Sequence, residues 1–377
     1  MDKKFVMSIA AMAALTLVSC SSDDLDSFSD NSSKNEAISF DGYLGRSAVA
    51  VNGTRGSVET VETLKKNGFG VFSKYTSTES QASFPDFANQ QVTYKYSKWT
   101  YTPVKYWPTT NGHIDFYAYA PYDSKQKLIE NSKLEFDVKP TVTEQKDLLW
   151  SRVNAQIKTP ITNNNNKVSF KFAHALSRLG YTIKLHETYP SATFTLNKIT
   201  LAGSPDEKTN AFYKKGIIDL SKVKDVPTGA APTGLWDTSS SDKQNLNWVS
   251  GGSIKVESKD PDHPQSNDPN NYLFVIPQDF SKDKDPQKPT EVVDELYVIV
   301  QYTITYSDGG GEQTNTVYKQ IKKKFEQGKA YMLNLTIGLP IEFDVNLTEG
   351  VGVDDWGKED GIDIGSGSDG NLWDGIK

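Results

Sequence analysis

Leu296, Val298, Val300, Tyr302, Ile304 and Tyr306 stand at every second position of an eleven-residue run. Side chains alternate across a strand, so a period of two sustained over that length specifies one long, central β-strand with a buried face. Ser307-Asp308-Gly309-Gly310-Gly311 follows and turns the chain back as a hairpin into residues 316–321. Shorter runs of the same kind recur at residues 38–44, 68–72, 92–101, 114–119, 134–138, 168–172, 181–185, 194–201, 272–276, 331–337 and 341–345. They are rich in Tyr, Phe, Val, Ile and Thr and are separated by Gly, Asn, Pro and Asp, while few segments carry a helical period. Such residues fit a pleated, half-buried surface. The expected class is all-β, with antiparallel strands packed into sandwiches.

At 377 residues the chain exceeds one typical domain. The polar break from Asn163 to Asn166 is expected to divide it into an N-terminal sandwich over residues 37–165 and a C-terminal one over residues 166–356. Residues 357–377, rich in Gly, Asp and Ser, read as a tail. The polar stretch between Asp225 and Asn271 reads as a long surface insertion. Residues 92–101 read as one strand, with Val92, Tyr94 and Tyr96 on one face and Lys95, Ser97 and Trp99 on the other. Lys322-Lys323-Lys324 is expected at a solvent-facing strand end.

The amino end has a separate logic. Met1-Asp2-Lys3-Lys4 is charged, and residues 5–18 form an apolar run too short to span a bilayer comfortably. Leu17-Val18-Ser19-Cys20 closes it and reads as a lipobox. The expected outcome is removal of residues 1–19 and acylation of the Cys20 thiol, giving a lipid-tethered chain with no spanning helix. Cys20 is the only cysteine, which rules out an intramolecular disulfide. Residues 20–36 are too polar to bury a core and read as a flexible spacer. Its acidic piece, Ser22-Asp23-Asp24-Leu25-Asp26, is either a surface-export signal or a solvated linker.

The residues give little support to catalysis. His186-Glu187 begins like a zinc-protease helix, but Pro190 stands where the second histidine is required. The four histidines have no metal spacing, and His174 is expected to orient polar groups at a strand end. Gly365-Ser366-Gly367-Ser368-Asp369-Gly370 spells a dinucleotide fingerprint with no room for the helix that must follow. Acidic groups around Asp260, Asp262, Asn267 and Asp268, and around Asp354, Asp355, Asp360 and Asp363, lack the spacing of a calcium loop and read as solvated. No metal, cofactor or enzymatic activity is expected. The net charge of −7 is dispersed and argues against nucleic acid. Tyr94, Tyr96, Trp99, Tyr101, Tyr106 and Trp107 leave open a second class, a lipid-anchored surface protein that stacks aromatic rings on glycans, as against plain packing.

Several pieces in order carry a more specific pattern. They are Cys20 in its lipobox, Ile38-Ser39-Phe40, Thr54-Arg55, Gly68-Phe69-Gly70-Val71-Phe72, and Trp99-Thr100-Tyr101-Thr102-Pro103 leading to Tyr106-Trp107-Pro108. Ile114-Asp115-Phe116-Tyr117-Ala118-Tyr119-Ala120-Pro121, Gln145-Lys146-Asp147-Leu148-Leu149 and Phe172-Ala173-His174-Ala175-Leu176-Ser177-Arg178-Leu179 complete it. In these the chain resembles the fimbrillin-like family, the lipoprotein precursors of bacterial type V pilins and accessory fimbrial subunits. The resemblance implies two transthyretin-like β-sandwich domains in tandem. It implies an outer-membrane lipoprotein at the cell surface or in a fimbrium, with other fimbrial subunits as partners and a host or glycan ligand for any adhesive member. It also implies processing: an arginine-specific protease cuts after the first strand, and an extended segment of another subunit fills the groove left behind. Here the displaced strand carries Ile38, Phe40 and Leu44, and the candidate cuts are Arg55 and Arg46. Both arginines have small neighbours, and Thr54-Arg55 fits the family pattern better. Ile362 and Ile364, at strand spacing, are the possible donor segment. Glycines interrupt the rest of that tail, which leaves shaft, tip and accessory roles open.

Overall fold

In a computed structural model, the described residues are 37–44, 58–77, 86–108, 111–130, 132–157, 167–186, 188–222, 236–239, 242–256, 265–266, 271–288, 290–307, 309–338, 344–351, 358–362 and 375–376. Cys20, Arg46, Arg55, Ile364, the apolar amino end, the Asn163–Asn166 break and the glycine-rich fingerprint lie outside them. Residues from Glu36 onward form one compact unit, and among the described residues the architecture is all-β apart from one short α-helix and two 3-10 turns.

The first sheet is built from β1 (Ser39–Leu44), β2 (Phe69–Ser77), β3 (Gln90–Lys95), β4 (Lys98–Thr100), β5 (Gly112–Ala120), β8 (Leu149–Gln156) and β9 (Lys167–His174). The short β6 (Leu128–Ile129) and β7 (Lys133–Asp137) lie apart, in a four-stranded sheet with Lys215–Asp219 and Trp236–Asp237. The order across the first sheet is β1-β9-β8-β5-β2-β3-β4. Alternation sorts its side chains onto two faces. Ile38, Phe40, Phe69, Val71, Phe116, Ala118, Phe170 and Phe172 point into one core. Phe72, Tyr117, Tyr119 and Trp150 point the other way, into a second core shared with Leu134, Ile218, Phe274 and Ile276. The sheet curls until its ends meet: Trp99 Nε1 on β4 donates to the Gly42 carbonyl on β1 at 3.2 Å.

Further along the chain two sheets face one another. β10 (Ser177–Leu185) pairs with Ala330–Ile337, which continues to Asp344–Val351 and Lys358–Ile362. β11 (Ala192–Ala202) pairs with Tyr297–Tyr306, which continues to Glu312–Gln320 and Gly375–Ile376. One core fills the space between them. Leu179, Tyr181 and Ile183 meet Leu196, Val298, Val300, Tyr302 and Ile304 there, with Leu333 and Leu335. The alternating run that marked a central strand is thus central, and the glycine-rich turn after it closes the expected hairpin.

Several expectations need correction. The sheets are mixed, because β1 runs parallel to β9 and β10 runs parallel to Ala330–Ile337. Residues 92–101 are a hairpin and not one strand. Tyr96 and Ser97 both take positive φ, 52° and 61°, the geometry of a two-residue turn that matches strand twist. Glycine or asparagine would have announced that turn; tyrosine and serine concealed it. The second domain was expected to begin at residue 166, but β9 is hydrogen-bonded to β8 and β1 and completes the first sheet. The polar stretch between Asp225 and Asn271 is more than a surface insertion. Leu246–Val249 and Ile254–Val256 pair with β11, and Leu246, Trp248 and Val256 enter the core. In the tail, Lys358–Ile362 and Gly375–Ile376 extend the two facing sheets.

Candidate functional site

β1 is the element on which the sequence argument depends, and it lies in a slot. Its inward row is Ile38, Phe40, Gly42 and Leu44. Ile38 is 1% exposed, Phe40 2% and Leu44 9%. The Phe40 ring centroid lies 5.2 Å from those of Phe87 and Tyr101 and 5.7 Å from those of Phe116 and Phe170. Outward, Asp41 pairs with Lys167 at 3.0 Å, and both are too exposed for the pair to contribute much. Full burial of each of the three large side chains is worth about 1.5–3 kcal/mol, before ordering costs.

Both sides of the strand are held. On one side six residues pair in register with β9, from Ser39 against Lys167 to Leu44 against Phe172. On the other, Ile38 N donates to Lys105 O at 2.8 Å, and Ala37 bridges Tyr106. The Tyr101 hydroxyl donates to Ile38 O at 2.7 Å and accepts from Lys105 N at 3.2 Å. Burial pushes the Tyr101 phenol above its ordinary pKa, which keeps it a donor. Lys105 lies 4.4 Å from the centroid of Phe87 beneath the strand, and its partial burial pulls its pKa down against the opposing pull of Asp86.

This arrangement accounts for most of the aromatic group. Trp99 packs edge-on to Phe69 at 4.8 Å, Tyr101 packs on Phe40, and Trp107 is 3% exposed. Tyr94 and Trp99 form a cross-strand pair with ring centroids 5.1 Å apart. These rings close the slot over β1. Tyr96, at the hairpin tip, and Tyr106 remain exposed.

β1 ends at a buried Leu44, and the next described residue, Val58, is buried in the second core. Residues 45–57 join them and contain both candidate arginines. Beyond Val58 the chain is fastened by a polar cluster the sequence reading missed. Glu59 N donates to Asp147 Oδ2 at 3.0 Å, and His174 Nδ1 lies 2.8 Å from the same oxygen. The Glu59 carboxylate accepts from Thr63 Oγ1 at 2.8 Å and Asn67 Nδ2 at 3.0 Å. Burial, with a smaller push from Asp147, raises its pKa from 4.5 to about 7, against the lowering effect of those bonds. Thr60 then caps the helix Val61–Asn67 through a box with Thr63. The only sequence signal was Thr-x-x-Thr, a weaker form of the usual capping pattern. Gln145 and Asp147, quoted above only as part of a motif, prove to be internal ties. Gln145 Oε1 accepts from Phe274 N at 2.7 Å. His174 sits where expected, at a strand end on a polar group.

Among the described residues, no three His, Cys, Asp or Glu side chains are arranged to hold a metal ion, and no helix is long and apolar enough to cross a membrane. Ile362 ends a strand paired antiparallel with Asp344–Val351, opposite Leu347.

The chain thus combines a curled sheet, its first strand held in an aromatic slot, with a two-sheet sandwich. Residues 54–356 match the model of the fimbrillin-like family, and the chain belongs to that family. It is similar to fimbrium subunit Fim1C of Phocaeicola vulgatus strain ATCC 8482, with 31% identity over 233 residues. The match covers 55% of this chain and 58% of that protein, so the chain spans somewhat over half the relative's length. A solved fimbrial protein from Bacteroides vulgatus ATCC 8482 has the same fold, with a TM-score of 0.57 at 19% identity over 83% of this chain and 99% of the other.

Proposed function

We propose that the chain is a structural or adhesive subunit of a surface fimbria, assembled by strand exchange once β1 has been cut away. In this reading Cys20 carries the lipid that holds the precursor at the outer membrane. An arginine-specific protease cuts at Arg55 or Arg46, β1 leaves, and an extended segment of another subunit takes its place. The tandem transthyretin-like arrangement belongs to the same reading, with the first sandwich closing at His174. The role is one of assembly and not of catalysis.

The observation that carries this is the double fastening on either side of residues 45–57. β1 is buried by side chains, while the chain after the cut is anchored independently by Val58, Glu59 and the capped helix. A cut between them therefore frees β1 while leaving the chain after the cut anchored. Loss of β1 exposes apolar side chains and the unpaired edge of β9, both of which favour a replacement strand. Before the cut, tethering gives β1 a high effective concentration that a donor in solution cannot match. The family match begins at residue 54, so β1 lies ahead of it.

The test is limited digestion of the purified precursor with an arginine-specific protease, followed by mass spectrometry and light scattering. The expected result is one discrete loss, ending at Arg55 or Arg46, and then oligomers. A precursor that resists the protease, or that is cut elsewhere and stays monomeric, overturns the proposal.

A further inference from the structure

Three of the four inward positions of β1 are filled by large side chains, and the fourth cannot be. A Cβ added to Gly42 would lie 2.9 Å from Phe69 Cε1 and 3.3 Å from Phe172 Cε2. Both rings would have to shift to admit it. Both are fully buried, and Phe69 is wedged against Trp99 at 4.8 Å, Phe172 at 5.3 Å and Phe170 at 5.7 Å. The bond from Trp99 Nε1 to the Gly42 carbonyl holds the backbone close to those rings. The slot thus has two deep positions, a blocked one, and an end position for Leu44.

The chain carries a near copy of this strand. Ile341-Glu342-Phe343-Asp344-Val345-Asn346-Leu347 repeats the Ile-x-Phe-Asp-x-x-Leu spacing of residues 38–44, and Val345 falls where β1 has Gly42. The part of it within Asp344–Val351 is paired with Ala330–Ile337, and its last residue, Leu347, pairs also with Ile362.

We propose that the slot selects its incoming strand by the fifth residue. It accepts, parallel to β9, a segment of another subunit with large apolar residues at its first, third and seventh positions and glycine at its fifth. It rejects the near copy at residues 341–347 because of Val345. This rests on the strand-exchange reading and adds to it the chemistry of the partner. Adding methyl groups to a packed aromatic core forces backbone or ring shifts, a cost that corresponds to at least about fivefold in affinity.

The test uses the full precursor after arginine-specific cleavage and four labelled peptides, read by fluorescence anisotropy. They are Ile-Ser-Phe-Asp-Gly-Tyr-Leu, the same with valine for glycine, Ile-Glu-Phe-Asp-Val-Asn-Leu, and the same with glycine for valine. Each glycine peptide is expected to bind at least about fivefold more tightly than its valine counterpart. Equal binding within both pairs overturns the selection while leaving the slot as an exchange site. Absence of binding by all four overturns the exchange reading and the selection with it. In the uncut chain, Gly42→Val is expected to speed hydrogen exchange of β1 at least about fivefold, with the outward Ser39→Val as control. A rate unchanged by Gly42→Val also overturns the selection, and if that variant fails to fold the peptide comparison still decides.

Discussion

Replacing Phe40 with alanine should loosen β1 while leaving the rest of the molecule closed. Phe40 is 2% exposed and touches four aromatic rings, those of Phe87, Tyr101, Phe116 and Phe170. Truncating a phenylalanine so placed costs about 3–5 kcal/mol, from lost transfer energy and the cavity left behind. If β1 opens as its own unit, that cost falls on the local opening reaction, and its amides should exchange between about a hundredfold and a few thousandfold faster. The strand Tyr297–Tyr306 lies in the other core and makes no contact with this ring, so its exchange should not change. Hydrogen exchange read by mass spectrometry separates the two segments in one sample. Loss of protection in Tyr297–Tyr306 in step with β1 would show that the strand cannot leave alone. Unchanged exchange of β1 would show that Phe40 does not hold it. Either result refutes a detachable strand.

Glu59→Gln tests the anchor after the cut. The folded carboxyl has its pKa raised from 4.5 to about 7, so its contribution is fully present below about pH 4.5 and is lost as pH rises through about 7, because the folded state then holds a proton the unfolded state has released. The variant should match wild type near pH 4 and exceed it at pH 8 by up to about 3 kcal/mol in urea unfolding, and parallel pH profiles would count against a buried, raised carboxyl. Tyr101→Phe keeps the ring against Phe40 but removes the hydroxyl that bonds Ile38 O and Lys105 N. After cleavage it should release the β1 fragment roughly tenfold faster, from a loss of about 1–2 kcal/mol, and an unchanged release rate would show that these bonds do not hold the strand.

What the sequence disclosed followed from how local each signal was. Alternation at Leu296 to Tyr306 and at Ile38 to Leu44 is a property of the strand itself, and it picked out the row that faces the core, although Ile299 on the other face of the long strand is buried as well. The glycine-rich turn at 307–311 was read for the same reason. The direction of β1 was not readable, because parallel and antiparallel pairing bury the same alternate side chains and the choice lies with a partner more than a hundred positions away. The hairpin at Tyr96-Ser97 was hidden because neither tyrosine nor serine announces the positive φ angles that the turn takes. Trp248 was missed because polar neighbours diluted its segment, although one indole in the core outweighs several exposed serines nearby. At the site, the apolar half was legible and the polar half was not. Glu59, Asp147 and His174 meet from three distant points of the chain, and no spacing rule connects them.

The slot also divides affinity from selectivity. An exposed strand edge invites indiscriminate pairing; β1 ends the sheet order, but the β4 side of the sheet folds over it and covers part of its free side. The groups waiting there address the backbone: Trp99 Nε1 bonds the Gly42 carbonyl, Tyr101 bonds the Ile38 carbonyl, and Lys105 O takes the Ile38 amide. Together with the β9 ladder, these contacts are available to any extended chain in the same register, whatever its side chains. They supply binding energy without discrimination. Discrimination must then come from the inward row, where large apolar side chains at the first, third and seventh positions are common in strands of any sequence. Glycine is depleted from strands, so a slot that requires one at a fixed place rejects most candidates, including the near copy within its own chain. In the proposed exchange, the steric block at Gly42 sets partner choice and the aromatic lid retains the chosen strand.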